Sequence, residues 1–551
     1  MKRRLFTKIL CFMVVLSVFL TGCNFTGSST DSTDENTDGE STETGTSDNV
    51  LNLSIENDIP DLNQVTTTDS ISFSILNNVM EGLYRLDENN EPQPAMAKEV
   101  EVTDDKLTYT FTLRDDIKWS NGEPITANDF KYSWMRAMHP DTAGSYSFIL
   151  ADYIKGAKPF SEGKGNADSV GIEVKDDKTL VVHLEKPTPY FLGLTAFVTY
   201  FPLNKEFVES QGGEFGLSGD AILYNGPYVI TDFGQAEGVV LEKNDQYWDK
   251  ENVQIEKIDL KVVKELSTAL NLYEAGELDR VKLSSANVDA YKDSPEFGTQ
   301  TNFRSYYVQF NLGDETIAND NIRKALQLAY DPKILEEVIL NNGSEAAYGL
   351  IPPKMTGPKG QSFREAQGPV IEPDVEKAKE LWAKGVDELG FEPELELLTA
   401  DDSVSKDSGT FLQSQYKKNL GIDISLVTKP YSGRLQAMRD DDFQMVVSAW
   451  GADYNDPMTY MDLWAAPPSA FRGNYSDENY DDLVLSAKDE PDDVKRMNQL
   501  LEAEKILLKE DAVLAPLYYQ GAAYLQKTYV KNLVFHPYGA SWDYKYAKIE
   551  K

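Results

Sequence analysis

Three observations make this chain read as an α/β protein of more than one domain. Strand-like alternation of apolar and polar residues recurs along it, segments with helical apolar spacing concentrate in its second half, and its 551 residues carry no Pro/Gly/Ser-rich linker within the part that can fold. The missing linker favours lobes that exchange strands over beads on a string. No short-period repeat is visible.

Residues 1–22 open with Lys2, Arg3, Arg4 and Lys8, continue through an apolar run from Ile9 to Leu20, and end on small residues before Cys23. That is the layout of a secretory signal, and the run falls short of the ~20 apolar residues a membrane-spanning helix needs. The ending Leu20-Thr21-Gly22-Cys23 resembles a bacterial lipobox, which implies that Cys23 carries a diacylglyceryl group and becomes the first residue after cleavage. The other cysteine, Cys11, lies in the segment that would be removed, so no disulfide is expected. Residues 23–49 are almost all Ser, Thr, Asp, Glu, Gly and Asn, a composition that cannot bury enough surface to order itself. They are expected to form a tether spanning roughly 30 Å as a flexible coil. Asp34 to Gly39 imitates the start of a calcium loop, but the twelfth position is Gly45 where a bidentate Glu is needed, so no metal is expected there.

The ordered part begins at Val50, where Leu51, Leu53 and Ile55 alternate as in a strand. Ile71, Ile75, Val79 and Leu83 predict an amphipathic helix over 70–85. Strand alternation returns over 107–113, 179–184 and 239–242, and helical spacing appears over 322–330, 376–389 and 494–509. Turn signals crowd the stretch 81–203, which reads as a self-contained insertion.

The formal charge is −38, or −42 once the basic leader is lost. Such a surface repels nucleic acid and anionic headgroups, so no nucleic-acid partner is expected. Motifs for catalysis are sparse. His139, His183 and His536 lie far apart and outside any zinc pattern, and His183 sits in an alternating strand where a satisfied structural imidazole is expected. There is no G-x-S-x-G elbow, Gly163 to Asp168 ends on Asp where a dinucleotide fingerprint needs Gly, and none of the 91 acids stands out as half of a glycosidase pair. No catalytic residue, cofactor or metal is therefore assigned.

One downstream segment carries a chemical signal. Phe443 to Trp450 reads as a buried strand, and Gly451-Ala452-Asp453-Tyr454-Asn455-Asp456-Pro457 as the turn at its end. A carboxylate at a strand terminus beside Trp450 and Tyr454 is partly stripped of water and calls for a cationic partner, either a ligand ammonium or a lysine of the protein, unless it caps the next segment.

Met80-Glu81-Gly82-Leu83-Tyr84, the stretch FTLRDDIKWSNGEPITANDF from Phe111 to Phe130, Asn225-Gly226-Pro227-Tyr228, the pair Tyr247-Trp248 and the segment Trp450 to Pro457 follow one another in an order that resembles the oligopeptide-binding lipoproteins of bacterial ABC importers. These belong to the extracellular solute-binding proteins of family 5, which also holds dipeptide and nickel binders. The resemblance covers nearly everything after the tether. It implies an α/β, two-lobed periplasmic-binding-protein (venus-flytrap) fold with an extra domain inserted in lobe one. Lobe one would comprise 50–80, 204–304 and 520–551, the insertion 81–203, and lobe two 305–519. Asp453 would receive the α-amino group of a peptide lying as a strand between Ala449, Trp450 and Gly451 on one side and Thr68, Asp69 and Ser70 on the other, with Tyr146 and Tyr431 near its side chains. Some members place an Arg three residues before the Trp. Here that position is Val447, and Arg434 or Arg439 would have to substitute. The implied function is a non-enzymatic, monomeric receptor, lipid-anchored on the outer face of the cell membrane of a single-membrane bacterium, that hands oligopeptides to ABC permease subunits. A dedicated receptor for a signalling or cell-wall peptide, and a surface hydrolase, are the alternatives.

Overall fold

The structure, a computed structural model, describes residues 49–550 apart from 68, 143, 145 and 466–472. The expected signal, Cys23, nearly all of the tether, and Thr68 lie outside the described residues.

Three sheets frame the described body. Val50–Ile55 pairs in parallel with Lys257–Val262, which continues antiparallel to Gly238–Lys243 and Tyr228–Gly234. A second, antiparallel sheet runs in the order Ala97–Val102, Thr108–Leu113, Thr179–His183, Ile172–Asp176, with helix Ala127–Met138 capped by a reciprocal Thr126/Asp129 box. The third has seven strands, ordered Arg280–Lys282, Leu514–Gln526, Phe297–Phe310, Met445–Gly451, Leu395–Ala400, Ile424–Lys429, with Glu345–Ala346 added on Leu514–Gln526. Its β-branched and aromatic content suits strands, and Val308, Phe310, Leu397, Met445 and Leu517 bury their side chains against helix Asp320–Leu328 and its neighbours.

Two strands of this sheet are unusually long. Phe297–Phe310 and Leu514–Gln526 pair antiparallel, and their register breaks between Thr301 and Ser305. At the break the strand bonds outside the sheet: the Phe303 amide donates to Pro537 O (2.9 Å), and its carbonyl accepts from the Ala452 amide (2.7 Å) and the Tyr460 hydroxyl (2.8 Å). Those bonds fix the turn after Gly451 in place.

The helix expected over 70–85 is shorter, Ser70–Val79. Met80 leaves the helical conformation (φ −131°, ψ 168°), and Gly82 lies against the Thr195 carbonyl so closely that a Cβ would come within 2.4 Å. Glu81 is thereby turned inward, where it accepts from Tyr247 Oη (2.5 Å) and Trp248 Nε1 (2.6 Å). The helix expected to end at 509 runs over Asp493–Lys505 and widens into a π turn at Ile506–Glu510. His183 is half-buried and its Nδ1 meets Thr108 Oγ1 at 3.1 Å, in keeping with a structural imidazole.

Candidate functional site

Strand Met445–Gly451 is covered unequally. Phe297–Phe310 pairs with it along its whole length, from Phe310 opposite Met445 to Arg304 opposite Gly451, whereas Leu395–Ala400 pairs with it only at Met445 and Val446. Beyond Val446 no described strand occupies its second edge. There the Arg434 side chain approaches it, Nη1 donating to Val447 O at 2.8 Å. Met445, Val446 and Val447 are buried, while Ala449, Trp450 and Gly451 are half-exposed along this open edge. An exposed run of backbone donors and acceptors is a template for a further strand.

The edge borders a cavity of about 400 Å³, lined among others by Tyr146, Arg304, Arg434, Ala449, Trp450, Gly451 and Asp453. Trp450 Nε1 is buried with no hydrogen-bond partner among the described residues. Asp453 also borders a second cavity of about 380 Å³ on the side of Tyr190 and Tyr454.

The turn holds its members differently. Tyr454 stacks on Tyr190 (centroids 4.4 Å, 8° between planes), Asn455 Oδ1 accepts from the Thr356 amide (3.0 Å), and Asp456 takes two charge-assisted bonds from the buried Arg496 (2.7 and 2.8 Å). The Asp453 amide donates to Thr459 Oγ1 (3.2 Å), but its carboxylate has no hydrogen-bond or ion-pair partner among the described residues. It neither caps the next segment nor pairs with a lysine there. Burial pushes its pKa up to about 6. Tyr146 packs edge-on against Phe73 (5.4 Å), and its hydroxyl pKa is pushed up to about 12, first by burial and then by the Asp453 carboxylate.

The remaining expected residues are placed as follows. Asp69 is the N-cap of helix Ser70–Val79: Oδ1 accepts from the Ile71 and Ser72 amides (3.0 and 2.8 Å) and Oδ2 from Thr67 Oγ1 (3.0 Å), so its carboxylate is fully engaged in capping. Ser70 is exposed and borders a third cavity, of about 550 Å³, which shares Arg304 with the first. Tyr431 begins helix Tyr431–Arg439; its side chain lies outside what the structure describes. Of the two arginines weighed against Val447, Arg434 lines the cavity, whereas Arg439 is exposed and bonds Gln436. Sequence reasoning missed Arg304. Its signal was present in Phe303-Arg304-Ser305-Tyr306-Tyr307, where Arg304 is the one charged residue of the strand Phe297–Phe310.

The family described as Bacterial extracellular solute-binding proteins, family 5 Middle, matches residues 91–471. The dipeptide-binding protein DppE of Bacillus subtilis is 33% identical over 492 residues, covering 89% of this chain and 90% of its own length. The oligopeptide-binding protein OppA of the same species is 32% identical over 545 residues, 97% of each chain. Among solved structures, OppA of Listeria monocytogenes bound to peptide is 38% identical with a TM-score of 0.76, covering 91% of this chain and 99% of that one. The mixed α/β sheets described above are thus those of a two-lobed periplasmic-binding-protein fold. Family match, near full-length relatives and shared fold agree: the chain belongs to the bacterial extracellular solute-binding proteins of family 5, the substrate-binding components of ABC importers.

Proposed function

We propose that this protein is a non-catalytic receptor that encloses oligopeptides and delivers them to an ABC permease. The observation that carries the reading is the open edge of Met445–Gly451 ending at a half-buried carboxylate without a partner among the described residues. An extended peptide added to that edge gains main-chain hydrogen bonds, and its α-ammonium supplies the cation that Asp453 lacks. Ala449, Trp450 and Gly451 would form one wall and Asp69 and Ser70, at the helix N-terminus, the other, with Tyr146 near the first residue of the peptide. Contacts made mostly to backbone give affinity without strong sequence selectivity.

The break in the long strand pair at 301–305 supports a hinge between lobe one (50–80, 204–304, 520–551), with its insertion at 81–203, and lobe two (305–519). Peptide contacts with both lobes bias that hinge towards closure. Lipid attachment at Cys23 would keep the monomeric receptor at the membrane, and the 23–49 segment would give it reach. Among the described residues no helix is long and apolar enough to cross a membrane.

Native mass spectrometry of the full chain, purified without denaturation, tests the reading. Release of a heterogeneous set of peptides is expected; a single species would make this a dedicated receptor, and turnover of added peptides would make it a hydrolase. Free-amine peptides should lose at least about tenfold in affinity on Asp453→Asn, as should N-acetylated peptides on the native protein. Equal affinity for acetylated and free peptides would remove Asp453 from the proposed role.

A further inference from the structure

The third cavity, of about 550 Å³, lies beyond Ser70 and Arg304 and is lined by Arg280, Gln300, Asn302 and Tyr524 among others. Its charge runs against that of the chain. In a protein of formal net charge −38, Glu56 at this cavity is paired with Lys282 (3.1 Å), which leaves Arg280 and Arg304 bordering it with no ion-pair partner among the described residues.

Arg280 is held as a cation awaiting an anion would be. Its guanidinium lies 3.3 Å from the centroid of the Tyr524 ring and 4.8 Å from that of Trp542, and it donates to Gln526 Oε1 (2.7 Å) and Gln300 Oε1 (2.6 Å). Neutral amides and aromatic faces orient the fork without cancelling its charge, and the two glutamines take only two of its five N–H donors. Burial without an anion pulls its pKa down to about 10. Arg85, Arg364 and Arg496, also largely removed from water, each sit on a carboxylate: Asp543, Glu504 and Asp456. Arg280 differs from these three, and it borders a cavity large enough for a side chain.

We propose that this cavity is a subsite for a carboxylate carried by the bound peptide, with Arg280 as the anchoring fork and Arg304 as the cation at its mouth. The assignment rests on the peptide lying along the open strand edge as read above. Arg304, opposite Gly451 and bordering both cavities, is where a side chain or chain end leaving that strand would pass from one to the other. On top of recognition made mostly through backbone, the receptor then favours a carboxylate at one position, from an acidic side chain or from the C-terminus of a peptide short enough to place it there.

Isothermal titration calorimetry on the full chain in detergent decides this. The probes are free-amine alanine hexapeptides carrying a single Glu or Gln at each position from two to six, each with a C-terminal acid or amide. A charge-assisted bond predicts that at one position Glu binds about tenfold or more tighter than Gln, or that acid binds correspondingly tighter than amide. The first result identifies a side chain as the source of the carboxylate, the second the peptide terminus. That ratio should collapse towards one in Arg280→Gln and in Arg304→Gln; Arg304 is exposed, so its variant carries the test if Arg280→Gln does not fold. Equal affinities at every position and at both ends, with the neutral amidated peptide still bound, would overturn the subsite and leave the receptor reading standing. A ratio that survives both substitutions would likewise overturn it. If no peptide of the panel binds, the receptor reading fails and the subsite falls with it.

Discussion

Asp453 and Asp456 stand three residues apart in one turn and meet opposite conditions. Asp456 is locked to Arg496 through two bonds, both side chains buried, whereas the Asp453 carboxylate borders two cavities without a partner among the described residues. Removing one member of a buried ion pair strands the other, so Asp456→Asn should cost about 3 kcal/mol in a denaturant titration. Asp453→Asn should not destabilise the ligand-free protein, because the ionised carboxylate is itself the strained form. The sign follows from its pKa, which stands at about 6 in the folded protein against about 3.9 in an unfolded chain. The folded state therefore holds this proton more tightly, and the stabilisation that gives is full below about pH 4 and gone above about pH 6. Melting curves of the native protein and Asp453→Asn should diverge over that window, the native protein losing ground as pH rises; a difference independent of pH would refute the assignment of the shift. Asp453 was legible in the sequence because its motif is contiguous. The Asp456–Arg496 pair was not, since its members are 40 positions apart and nothing local links them.

Elements were legible where periodicity is strong and their ends were not. The strands around Val50, Thr108, Thr179 and Val239 form close to where alternation places them. Helix Ser70–Val79 starts where Asp69 can cap it, but its end is set by Gly82 against the Thr195 carbonyl and by Glu81 reaching Tyr247 and Trp248, contacts made more than 100 positions away. The capping role gives a prediction: Asp69→Ala should lower stability by about 1 kcal/mol in urea unfolding, while Asp69→Asn, which can still accept from the Ile71 and Ser72 amides, should cost far less. Equal losses in both variants would mean that the carboxylate acts through its charge. The open edge of Met445–Gly451 was also illegible, because which strands neighbour it, and for how many residues, depends on segments far earlier in the chain, Phe297–Phe310 and Leu395–Ala400.

Across the described body, two long strands and a returning C-terminal segment join parts distant in sequence. Arg85 meets Asp543 at 2.6 Å, Asn78 donates to Trp542 O and accepts from the Tyr544 amide, and Phe297–Phe310 crosses the proposed lobe boundary with its register broken there. A hinge at that break predicts that saturating free-amine peptide lowers the radius of gyration in small-angle X-ray scattering, and that the response at the same peptide concentration is much reduced in Asp453→Asn. Peptide at 100 times its Kd should also add about 2.7 kcal/mol to stability by mass action. An unchanged scattering curve at saturation would remove the hinge from the proposal.

Composition, periodicity and contiguous motifs were enough to reach the α/β class, the family, the expected leader with its cysteine, and Asp453, since each depends on residues close together in the chain. The open strand edge, the engagement of Asp69 in capping, the pairing that spares Asp453 while committing Asp456, and the two arginines at a cavity in an acidic protein came from the packed structure. Their reason is common to all four: whether a polar group has a partner depends on what long-range packing brings to it.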